Sequence, residues 1–239
     1  MDHSFIQRAT HITSFNLHAG DFQSVKYKQE IQHLFNMHFF PKFELSKTID
    51  NLSKPDQLNH LVSQLKNENP AMFSKMHNYN LKGVGPGEVT LYFLINSAHL
   101  GGGSSAGVDL VTKNEKFEVK AVTVSQGFAS NFKLGGTAPL SDISIMLNDI
   151  RTAHKLGGTK TEMSKSITAQ MKQLAPKEFT AAEEKFASVA SEYFKNHRVI
   201  FINNSPAHLG KIEAIKQVVL KDITIERVTS GTIKPLIKL

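Results

Sequence analysis

Apolar residues at helical spacing alternate along this chain with stretches in which every second residue is apolar. Leu58, Leu61, Val62 and Leu65 follow Pro55-Asp56 and predict a helix opening there; residues 29–37 predict a shorter one. Pro86 is placed in the first turn of a helix reaching about residue 96. Its Val89, Leu91, Tyr92, Phe93, Leu94 and Ile95 are apolar almost all round, which predicts burial against a sheet. The glycine-rich residues 99–107 read as a loop. Residues 107–112 and 116–124 read as paired strands about a polar turn near Asn114. Helical spacing returns within 139–195, at Ile143, Met146, Leu147 and Ile150 and again over 179–194. Beyond it come a strand at 198–203, a helix near 208–218, and a hairpin of 223–228 with 232–239 across Ser230-Gly231. Leu-Gly-Gly-Thr at 134–137 and 156–159 marks loops or helix stops rather than a repeat architecture.

At 239 residues, 40% of them hydrophobic and 21% charged, the chain can bury a substantial core. No apolar run approaches a membrane span and none follows a basic start as in a secretory leader, so the expectation is a protein of the bacterial cytoplasm, or of the host cytoplasm if phage-encoded. Without cysteine there is no disulfide, thiolate metal site or cysteine nucleophile. The net charge is +7, and the last 42 residues hold seven basic and three acidic groups. Such an excess attracts phosphates. With arginine at only positions 8, 151, 198 and 227, the supply suits contact with a nucleic-acid backbone better than base readout.

Two acidic-x-lysine patterns occur, Glu118-Val-Lys120 and Glu183-Glu-Lys185. Residues two apart share a face on a strand and not on a helix, so only the first places its charges together. With Asn114-Glu115 as a two-residue turn, Lys113 faces Lys116, Asp109 lies opposite Lys120, and Val111 lies opposite Glu118. One hairpin face then carries Asp109, Glu118 and Lys120, and the other carries Val108, Leu110, Phe117, Val119 and Ala121 for the core. Two carboxylates beside a lysine suit magnesium-assisted phosphodiester hydrolysis, since oxygen ligands hold the cation and the ammonium offsets charge on the phosphoryl group. The same residues could instead be an ordinary ion pair on a solvated sheet. His33 and His38 lack the spacing of a zinc site, the Phe-rich stretch 35–43 reads as core, and the glycine loop lacks the ending of a nucleotide P-loop.

Gly87-Glu88 on a helix, Val108-Asp109 at a strand start and Phe117-Glu118-Val119-Lys120 on the next strand resemble the PD-(D/E)XK nuclease superfamily, over roughly residues 82–124. Valine replaces the nominal proline before Asp109. The resemblance implies an α/β (α+β) restriction-endonuclease-like fold, a mixed sheet flanked by helices. The expected organisation is a helical N-terminal region over 1–80 and a nuclease-like core over 81–239, with a helical insertion at about 136–197. It implies catalytic roles for Glu88, Asp109, Glu118 and Lys120, magnesium held at Asp109, Glu118 and Val119, and DNA contacts at Lys82 and Lys133. The function implied is a magnesium-dependent DNA endonuclease, of restriction type or serving phage DNA processing, with a homodimer expected for double-strand cutting. Two alternatives accompany it. Glu88 could merely complement a helix dipole, and the chain could be a non-catalytic structural or nucleic-acid-binding protein, such as a virion component, that retains the fold.

Overall fold

A computed structural model describes Leu52 and residues 55–68, 70–78, 84–95, 98–101, 108–134 and 138–239. The expectations at 29–37, at His33 and His38, at 35–43 and at Lys82 lie outside the described residues. In chain order the elements are α1 (Pro55–Glu68), α2 (Pro70–His77), α3 (Glu88–Leu94), β1 (His99–Leu100), β2 (Leu110–Val111), β3 (Lys116–Ser125) and β4 (Phe128–Ser130). They continue with α4 (Ala138–Ala153), α5 (Lys165–Leu174), α6 (Pro176–Phe194), β5 (Arg198–Asn203), β6 (Ile212–Lys216), β7 (Ile223–Thr229) and β8 (Thr232–Lys238). The chain is thus mixed α and β. Among the described residues no helix is long and apolar enough to cross a membrane.

The elements form two compact units, Met1–Ala121 with His197–Ile215, and Val122–Asn196 with Lys216–Leu239. In the first, β1 pairs antiparallel with β2, β2 pairs antiparallel with β3, and β5 bonds to both β3 and β6. Leu58, Leu61, Val62 and Leu65 are all buried on α1, as their spacing predicts. They meet the wholly buried α3 and the strand residues Leu110, Phe117, Ile200 and Ile202 in one apolar cluster. Helix α3 begins at Glu88, so Pro86 precedes it rather than opening its first turn.

Three further expectations in this unit are corrected. Residues 99–107 are not all loop, because His99–Leu100 form β1 and pair with Val111 and Leu110. The backbones are so close here that a Cβ on Gly101 would lie 1.8 Å from the Val108 carbonyl oxygen. Gly101→Ala is therefore expected to cost about 3 kcal/mol or more, read from urea unfolding, because only a backbone shift can relieve that overlap. Second, residues 208–218 hold a short 3₁₀ turn, Pro206–His208, and then strand β6 instead of a helix. Gly210 turns the chain at φ 82°, and the Asn59 side chain bonds both main-chain groups of Ile212, accepting from its N–H (2.7 Å) and donating to its C=O (2.9 Å). Third, the β2–β3 hairpin has a different register. Val111 pairs with Lys116 and Leu110 with Phe117, with Thr112 and Glu115 closing the turn through a 2.9 Å bond. The turn residues are Lys113-Asn114, so the register moves by two from the expected one. A two-residue shift preserves which side chains share a face.

The second unit contains the end of β3, strands β4, β8 and β7 paired antiparallel in that order, and helices α4 to α6. Helices α4 and α6 fall where helical spacing was read, and α5, capped by Ser164, is added between them. Strands β7 and β8 form the expected hairpin, with positive φ at both Ser230 (49°) and Gly231 (68°), as a tight two-residue turn requires. The second acidic-x-lysine pattern lies in α6, and its members face different partners. Glu183 pairs with Lys172, whereas Lys185 pairs with Asp142.

Candidate active site

Four ionisable side chains from three pieces of the first unit meet at the start of the β2–β3 hairpin. Asp109 enters from the bend before β2. Its N–H donates to the Phe117 carbonyl (3.1 Å), and its own carbonyl accepts from Gly101 N–H (2.9 Å). Its Oδ2 accepts from Val119 N–H at 2.8 Å. Val119 thus buries its side chain in the core and turns its main chain toward the acid. Glu118 and Lys120 lie on the other face of β3 and form a direct ion pair, with side chains only 5% and 15% exposed. The shared face inferred from strand parity is therefore present, although the pair is sunk rather than solvated.

Glu88 arrives from α3, and a turn tailored to it fixes its position. Gly85 N–H donates to Glu88 Oε1 (2.7 Å), while Gly87 N–H donates to the His77 carbonyl (2.6 Å). Gly87 has φ 86°, and a Cβ there would sit 2.6 Å from Ile202 Cδ1. His77 is itself buried, which lowers its pKa, and its Nε2 donates to Asn204 Oδ1 (3.0 Å).

The electrostatics of the group are dominated by desolvation. Burial first, and then the Asp109 carboxylate, push the Glu88 carboxyl up to about 9; the Gly85 N–H and Lys120 pull it back, and Glu118 adds to the rise. Asp109 is raised as well, by burial and then by Glu118, against Lys120, the Val119 N–H and His197. A carboxylate that merely complemented a helix N-terminus would be stabilised in its charged form. Glu88 is shifted in the opposite direction, held neutral first by its burial and then by the Asp109 carboxylate.

His197 is a member that no sequence motif marks. It directly precedes β5, its charge acts on Asp109, and both of its ring nitrogens are buried without a hydrogen-bond partner among the described residues. Of the two expected DNA contacts, Lys133 is exposed in the second unit. Lys82 lies outside the described residues.

Among the described residues no three His, Cys, Asp or Glu side chains already converge as an ion cage. Magnesium does not require one. It binds through one or two carboxylates and fills its other positions with water and substrate phosphate. Asp109, from the bend before β2, and Glu118, on β3, offer the oxygen donors that a divalent cation of this kind takes, in a place where burial first and neighbouring carboxylates second raise the acids. No known family model matches the chain, and no curated protein or solved structure is similar to it.

Proposed function

We propose that the protein is a magnesium-dependent DNA endonuclease with a restriction-endonuclease-like core, of restriction type or serving phage DNA processing. The observation that carries this reading is the meeting of Asp109, Glu118 and Lys120 with Glu88, in surroundings that raise two of the acids. Clustering of this kind costs stability, and a cation among the carboxylates would offset that cost. Asp109, Glu118 and the Val119 main chain would hold the magnesium, which polarises the phosphoryl group and lowers the pKa of its water. Lys120 stabilises negative charge that develops on the phosphoryl oxygens. Asp109 is held in register by the Val119 N–H, and Glu88 is held neutral by burial, an acid whose ionisation a cation at this site would favour.

The test is cleavage of supercoiled plasmid by the full chain in magnesium and in EDTA. Nicking or linearisation is expected only with the metal. Binding without metal-dependent cleavage across DNAs of varied sequence would favour the non-catalytic nucleic-acid-binding role.

A further inference from the structure

Arg227 on β7 and Lys234 on β8 are direct cross-strand partners. Like charges opposite one another weaken a sheet unless opposite charge comes between them. Lys234 is only 7% exposed, and burial, then Lys133 and Arg227, push its pKa down. Its ammonium makes no hydrogen bond or ion pair among the described residues.

The nearby carboxylates offset the excess only in part. Glu226 occupies the irregularity in the β7 register, and its Oε1 is taken by Lys165 at 2.5 Å. Its Oε2 stands 3.8 Å from Arg227 Nε, beyond hydrogen-bond reach, and both atoms are buried without a hydrogen-bond partner. The Arg227 guanidinium is steadied elsewhere, by Nη2 donating to Asn131 Oδ1 at 2.6 Å. Asn131 belongs to the same segment after β4 as the exposed Lys133. Three cations are therefore gathered from two strands and one loop of the second unit. The acids beside them among the described residues are shared: Glu226 between Lys165 and Arg227, and Glu162, which Arg227 also influences, with the Thr229 hydroxyl and the Ser230 N–H.

We propose that Lys234, Arg227 and Lys133 form a site for a backbone phosphate of a nucleic-acid strand. Phosphate fits this set because a guanidinium offers a planar fork of donors and the two ammonium groups offer adjustable point charges. The sheet fixes the separation of Arg227 and Lys234 before any ligand arrives, so little ordering is needed on binding. A strand is favoured over a small phosphorylated molecule because two of the three cations, Arg227 and Lys234, belong to the basic C-terminal stretch. That choice of source rests on the nucleolytic reading above; the phosphate site itself does not.

The experiment compares the full-length wild type with Lys234→Met, which keeps the buried stem, and with Lys133→Met, whose exposed position leaves folding untouched. One arm measures thermal unfolding in inorganic phosphate against chloride of matched ionic strength. Phosphate is expected to raise Tm in the wild type and to do so much less in both variants; without phosphate, Lys234→Met is expected to melt higher than the wild type. The other arm measures duplex DNA affinity across a salt series in EDTA, where no cleavage occurs. Each variant is expected to lower the slope of log K against log salt by about one, the signature of one lost phosphate contact. Equal phosphate protection in wild type and variants would overturn the site. Lost protection with an unchanged DNA salt slope would overturn the strand as its ligand. Because both arms read binding without metal, a failed cleavage assay would count against the catalytic reading alone.

Discussion

Lys120→Gln is expected to slow magnesium-dependent cleavage by about a hundredfold or more while leaving DNA affinity near that of the wild type. On the proposed reading the lysine acts on charge that develops in the transition state, and removing one such group commonly costs a factor of this size. Affinity for a DNA backbone would come mainly from dispersed contacts and is expected to survive. Glutamine is a better choice than alanine here. Because Glu118 is 5% exposed and paired with Lys120, Lys120→Ala would leave a buried carboxylate with neither charge nor donor opposite it, at a cost of about 3–5 kcal/mol. The glutamine amide removes the charge and can still donate to it. Asp109→Asn should match the loss in rate for a different reason, since it weakens the hold on the cation. The amide oxygen can still accept from Val119 N–H, so the hairpin keeps its shape. Raised magnesium should therefore restore part of the activity of Asp109→Asn and none of that of Lys120→Gln. Single-turnover cleavage across a magnesium series separates the two, and near-normal cleavage by Lys120→Gln would remove the lysine from the mechanism.

The second large effect is on stability. Glu88 titrates at about 9 in the folded chain, against an ordinary value of 4.5. Below the ordinary value both folded and unfolded chains carry the proton, and the favourable state of the group is fully present. Between the two values the unfolded chain has lost its proton and the folded chain keeps it, so stability falls as pH rises, by about 1.4 kcal/mol per pH unit. At pH 7 the accumulated loss from this residue is about 3 kcal/mol, and the raised Asp109 adds in the same direction. Glu88→Gln, which can still accept from Gly85 N–H, should flatten the dependence and be the more stable protein at neutral pH without metal. Urea unfolding of both proteins from pH 5 to 9 in EDTA is the check; parallel curves would refute the assignment.

Parts of this site can be read from sequence because they depend on periodicity. The strand pair at Asp109 to Lys120 follows from alternation, and strand parity places Asp109, Glu118 and Lys120 on one face even though the register moved by two residues. Helix α1 was legible for the same reason, since its four spaced apolar residues make one buried stripe. What failed was decided by distant partners. Strand β6 carries Ile212 and Ile215 at helical spacing, yet pairing with β5 and the two bonds from Asn59 make it extended. The two residues of β1 are too few to show any period. The neutral state of Glu88 was not visible either, because it depends on the burial of the whole of α3 and on acids from another element. His197 has no local pattern at all.

The most direct test of the central claim, that these carboxylates form a cation site, is calorimetric titration of magnesium into the metal-free protein near pH 8, repeated in buffers of different ionisation enthalpy. Because Glu88 and Asp109 are both raised, binding is predicted to saturate and to expel protons. Less proton release is expected in Glu88→Gln, with weakened binding in Asp109→Asn. Absence of saturable binding, or binding that Asp109→Asn leaves unchanged, would contradict the account.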